Sequence, residues 1–157
     1  MVVKFFALIL LIIAIVVICL RCSSSKFNKK DVKVTNADEY SFNVKFHNII
    51  FKIYKGKVDE LKERLIESFK KGEDWVNLVK RHGCVDGYSY TLARISNDLY
   101  IDAKYKNNSP IFVLTERYYD DSDTFVFNTL DEIVDFFTEI FEQINKLKQM
   151  NDILCQK

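Results

Sequence analysis

The feature that most restricts what this chain can become is an unbroken apolar run from Phe5 to Leu20, bounded by Lys4 and Arg21. A helix over these residues is apolar on every face and has no polar stripe, so it does not suit a place on the surface of a soluble core. Its sixteen residues span about 24 Å as helix. With Val2 and Val3 added, and with Lys4 snorkelling, the span is about 28 Å, enough for a thin or pinched bilayer. Three readings compete: an uncleaved single-pass signal-anchor, a cleaved signal peptide ending near Ser23, Ser24 and Ser25, and a lipoprotein signal using Cys22. The anchor is the leading expectation. The run is rich in β-branched residues, long for a signal core, and followed by no A-x-A site. Arg21 sits where a lipoprotein signal wants a small residue. Orientation stays open. The positive charges after the run favour a cytoplasmic domain, whereas export led by an N-terminal signal argues for the other side.

Residues 23–37 are polar and basic and read as a juxtamembrane linker, with lysines attracted to anionic lipid heads or simply solvated. Residues 38–157 are long enough to bury a core without staples. The chain is 48% hydrophobic and 29% charged, with one Pro and four Gly, so the body is globular and its connections are short. Lys and Arg number 23 against 22 Asp and Glu. That balance gives no basic stripe for nucleic acid outside the linker, and no nucleic-acid partner is expected.

The periodicity changes several times along the body. Phe42, Val44 and Phe46 alternate with polar neighbours, His47-Asn48 turns the chain, and Ile49 to Tyr54 returns as a second strand. Val58, Leu61, Leu65 and Phe69 recur at helical spacing over residues 57–71, and Gly72 reads as a stop. A second, shorter helix is expected over 74–82. Strands follow at 88–93, 99–105, 111–116 and 124–127. Asn107-Asn108 marks one turn and the acidic stretch 120–123 another. Thr129 and Glu132 form a capping box for a final helix to about Gln149. Its core face carries Ile133, Phe137, Ile140 and Ile144, with Glu139 off that stripe. The expected order is β-β-α-α-β-β-β-β-α, an α+β domain with a mainly antiparallel sheet and helices on one face.

Candidates for chemistry are few. Cys19 and Cys22, at the end of the apolar run, suit lipidation. Cys84 and Cys155 are the only body cysteines and could pair in an oxidising compartment. His82, Cys84 and Asp86 fall close together in sequence and suggest a small hydrolase, although a histidine at a helix C-terminus is explained more simply by the helix dipole. The run Asp120 to Asp123 lacks the spacing of a calcium loop. Neither a phosphate loop nor a zinc pattern is present, so no metal or cofactor is expected. Tyr88, Tyr90, Tyr100, Tyr118 and Tyr119 cluster in the strand region. Tyrosine is favoured at recognition surfaces, and ordinary packing on a sheet is the plainer account.

The leading expectation is a membrane-tethered protein–protein interaction domain without catalytic activity, such as a component of an envelope or viral membrane complex. The alternatives are a toxin-neutralising immunity-type protein and the His82/Cys84/Asp86 hydrolase. The anchor reading has a direct check. The full chain should stay with membranes through carbonate extraction, and recovery of a mature chain beginning near Ser23 to Lys26 would overturn it.

Overall fold

The computed structural model describes residues 27–155, without the side chains of Asp152, Leu154 and Cys155. The apolar run, Cys19 and Cys22 lie outside the described residues. Among the described residues no helix is long and apolar enough to cross a membrane.

Among the described residues the fold is α+β, with seven strands in two antiparallel sheets and two helices. Strands β1 (Val32–Asn36), β2 (Ser41–Phe46) and β3 (Ile49–Tyr54) form the first sheet in the order β1-β2-β3. Helix α1 (Val58–His82) follows. Strands β4 (Ser89–Arg94), β5 (Leu99–Lys106), β6 (Ser109–Tyr118) and β7 (Asp121–Phe127) form the second sheet in chain order, and helix α2 (Leu130–Cys155) closes the fold. The single sheet expected from short strand links is therefore divided where α1 interrupts the chain.

Three further expectations are corrected. Residues 32–36, read as linker, form β1, with Val32 and Val34 buried. Phe27 joins the core beside them, 5.7 Å from Phe127 and 5.9 Å from Phe46 between ring centroids. The helices expected over 57–71 and 74–82 are one 25-residue helix running straight through Gly72. A Cβ on Gly72 would meet Leu130 Cδ1 at 3.2 Å and Leu92 Cδ1 at 3.3 Å. The glycine serves close packing of α1 against α2 and β4 rather than helix termination. The acidic stretch after Asp120 belongs largely to β7, and the chain reverses at Tyr119-Asp120.

Turn chemistry accounts for the hairpins. Asn107 and Asn108 both take positive φ, 51° and 60°, between the paired residues Lys106 and Ser109, which is the turn that matches strand twist. His47, at φ 53°, opens the two-residue turn between Phe46 and Ile49. Its ring is held on both sides, stacked on Phe125 at 5.1 Å and edge-on to Phe46 at 4.5 Å.

The capping box is present. Glu132 N–H donates to Thr129 Oγ1 at 3.2 Å, and the Glu132 carboxylate accepts from Asn128 N–H at 2.7 Å, one residue before the expected partner. The stripe Ile133, Phe137, Ile140 and Ile144 is buried to 1% exposure or less, and Phe136 joins it. Helix α2 lies against the free edge of β1, where Gln143 behaves like a peptide unit. Its Oε1 accepts from Val34 N–H at 2.9 Å and its Nε2 donates to Val32 O at 3.0 Å. Glu139, expected to be indifferent, accepts from the same Nε2 at 2.8 Å and steadies that amide.

This packing predicts a graded series in chemical denaturation. Phe137→Ala should cost about 3–5 kcal/mol through a core cavity. Gln143→Leu should cost about 1–3 kcal/mol by leaving two strand groups unpaired, and should speed hydrogen exchange at Val34. Glu142→Ala, on the exposed side of α2, should change stability by less than about 0.5 kcal/mol.

Candidate functional site

A concavity of about 700 Å³ lies between α1, the N-terminal end of α2 and the start of β6. Ile66, Phe69 and Val76 from α1 meet Phe112, Leu130 and Val134 across it. Lys70, Lys80, Glu73 and Asp131 supply charges of both signs around these apolar groups. The groove follows from α1's own sequence. Val58, Leu61, Leu65 and Val79 face the core, so the adjacent row of Ile66, Phe69 and Val76 lies at the flank, with Ile66 left 60% exposed. Sequence patterning hid this surface, because Phe69 also fits the core stripe and Ile66 reads as a lone exception.

The expected site residues do not converge. His82 is the exposed last residue of α1, Cys84 is half-buried one residue past Gly83, and Asp86 is exposed. Asp86 is engaged structurally, accepting from Asn107 N–H at 2.8 Å to hold the β5–β6 turn. None of the three lines this groove or the one between α1 and β4. Among the described residues no three His, Cys, Asp or Glu side chains gather as metal ligands. The side chain of Cys155 is outside the described residues, so its pairing with Cys84 stays a proposal.

The five tyrosines separate into three environments. Tyr88 and Tyr90 lie 6.4 Å apart, and Tyr90 packs edge-on against Trp75 of α1 at 5.5 Å. Tyr100 is on the opposite face of the second sheet, where Arg117 sits over its ring at 5.3 Å. Tyr118 and Tyr119 are at the β6–β7 turn, and Tyr119 is fully exposed. Strand alternation separates Tyr90 from Tyr100, and spacing alone does not reveal that β4 and β5 present them on opposite faces.

One buried carboxylate falls at the junction between the two sheets. Glu116 of β6, 7% exposed, accepts from the β3 amide of Ile50 at 2.8 Å and from the Tyr118 hydroxyl. Loss of solvent around the phenol, then the hydrogen bond to Glu116, push Tyr118 up to about 12. The carboxylate is thus committed to joining β3 to β6, and the arrangement reads as a structural tie.

No protein-family model matches the chain, and no curated protein or solved structure does so either.

The Glu116 tie has a pH signature. The folded phenol keeps its proton to about pH 12, against 10.0 for an ordinary tyrosine. Between those values the folded state binds more protons than the unfolded state, so stability falls as pH rises through the window. Denaturation midpoints should show that decline in the wild type and a shallower one in Tyr118→Phe. Glu116→Ala should cost about 1–3 kcal/mol near neutral pH, through the orphaned Ile50 amide.

Proposed function

We propose that this protein is a single-pass, membrane-anchored interaction domain whose recognition site is the groove between α1 and α2. The observation that carries the reading is the row of Ile66, Phe69 and Val76 along α1, facing Leu130 and Val134 with charged residues of both signs around them. Apolar groups that face solvent within a polar rim are the usual composition of a binding surface. The row from Ile66 to Lys80 covers about 21 Å of helix, close to four turns. That length suits an amphipathic helix from a partner protein, laid in with its apolar face down. The polar chemistry elsewhere supports binding over catalysis: Asp86, Glu116 and Gln143 are each engaged in joining one element to another.

Tethering rests on the Phe5–Leu20 run, retained as a transmembrane anchor. Held at a membrane, the groove would search for its partner in two dimensions and at raised local concentration. A photo-crosslinking amino acid placed at Ile66 in the full-length chain should give one discrete adduct in native membranes. The same group at Thr124, on the outer face of the second sheet, should give none. An adduct from Thr124 with none from Ile66 would move the recognition site to the sheet. Charge placed in the groove by Ile66→Glu should abolish the adduct formed from a crosslinker at Val76, without lowering the thermal midpoint, because Ile66 is mostly exposed.

A further inference from the structure

We infer that the outer face of the first sheet docks on an anionic lipid surface, so that the domain lies against the membrane that anchors it. This inference rests on the anchor reading above and adds to it a second, separable contact. The face is assembled by register. Lys33 of β1 is paired across to Lys45 of β2, and Lys45 to Ile50 of β3, which sets two lysines and a half-exposed isoleucine in one outward row. Like charges directly opposite one another on neighbouring strands are unfavourable for folding, so the row is not explained by stability of the sheet. Lys30 of the turn before β1 closes the same shallow concavity, together with Asp31 and His47.

The charge there is incompletely balanced. Asp31 lies 3.7 Å from His47, and Asp135 of α2 takes Lys29 at 3.2 Å. Lys30, Lys33 and Lys45 have no carboxylate within ion-pairing distance among the described residues. No acidic residue occurs anywhere before Asp31, whereas Arg21, Lys26, Lys29 and Lys30 all do. Basic residues beside an exposed apolar group match the chemistry of an anionic bilayer surface.

Where the chain leaves the domain places that surface at the bilayer. Phe27 is fixed in the core by Phe46, whose neighbour His47 borders the basic concavity. Seven peptide steps separate Leu20 from Phe27, a reach of about 25 Å at most. That tether keeps the domain beside the bilayer, and chain entry at Phe27, next to the basic concavity, favours turning this face to the headgroups. Such docking takes the cytoplasmic orientation that the basic residues after the run favour, the side on which the leaflet carries the anionic lipids.

The test uses the full chain in phosphatidylcholine vesicles, with or without phosphatidylserine. An environment-sensitive fluorescent amino acid is placed at Thr35, on the same outer face, and a second at Thr124 on the other sheet. A headgroup quencher should dim the Thr35 probe only when phosphatidylserine is present and should leave Thr124 unchanged. Each lysine at an anionic surface is worth roughly fivefold, so K33Q/K45Q should lower the docked-to-undocked ratio roughly 25-fold. K33E/K45E should lower it further. Both variants alter exposed side chains, and the neutral one keeps the measurement available if charge reversal perturbs the sheet.

Equal quenching in the two lipids, or quenching that survives K33Q/K45Q, would overturn the inference. Lysine-dependent binding of RNA in place of phosphatidylserine would overturn it too. Release of the chain from phosphatidylcholine vesicles by carbonate would remove the anchor reading alone. Serine-lipid-dependent quenching lost in K33Q/K45Q would then still uphold the lipid-facing sheet.

Discussion

Among the described residues the two sheets share no backbone ladder, so their mutual placement depends on side chains. The main one is Phe46 at the end of β2. Its ring meets Phe125 of β7 at 4.6 Å and Phe136 of α2 at 4.8 Å. Phe127 and Phe27 complete the cluster within about 6 Å. One aromatic seam therefore contacts the first sheet, the second sheet, the last helix and the entering chain. Aromatic pairs in tilted and edge-on arrangements add directionality to burial, which helps fix an angle between sheets that no ladder sets. The Glu116–Ile50 bond ties β3 to β6 as well, through a carboxylate that is itself buried.

What the sequence made legible follows from how locally each element is determined. Helix α2 was readable because its cap, its stripe and its first-turn acids agree. The β5–β6 hairpin was readable because two consecutive asparagines accept left-handed backbone. Strand β1 was not. Val32-Lys33-Val34 does alternate, yet it is short and basic, and its free edge is satisfied by Gln143, more than a hundred residues away. Gly72 was misread for a similar reason. Its role is set by Leu92 and Leu130 across a tight contact, and nothing in the local pattern separates close approach from termination. Division into two sheets was also beyond periodicity, which gives strands but not the partners of β3 and β4.

The candidate site was less legible than the fold. In the sequence the residue types with distinctive chemistry, cysteine, histidine and tyrosine, stand out. The structure scatters these, and the groove instead consists of common apolar residues one helical row away from the core stripe. Helical phase distinguishes Leu65 from Ile66 only once the buried face is known to within a residue. The same blindness hid the basic face. Lys33 and Lys45 are twelve positions apart in sequence and become neighbours only through the β1–β2 register.

How the sheet edges are treated narrows the forms that recognition can take. An exposed strand edge invites pairing with another chain. Here the outer edge of β1 is occupied by the Gln143 amide, β3 is engaged at Ile50 by Glu116, and β4 carries a register irregularity between Thr91 and Ala93 beside α1. Strand addition at these edges would have to displace a side chain or straighten a bulge. At these three edges a partner would therefore meet faces rather than a bare strand, which leaves β7 as the remaining edge of the second sheet. The helical groove and the lysine row draw on different elements and share no residue, so docking on lipid does not consume the surface that would hold a partner. In the proposed lipid-docked arrangement, with a short connection to the proposed anchor, the domain would lose most of its freedom to rotate. The groove would then point in a fixed direction relative to the bilayer, which would restrict productive partners to those whose helix approaches at a matching height and angle.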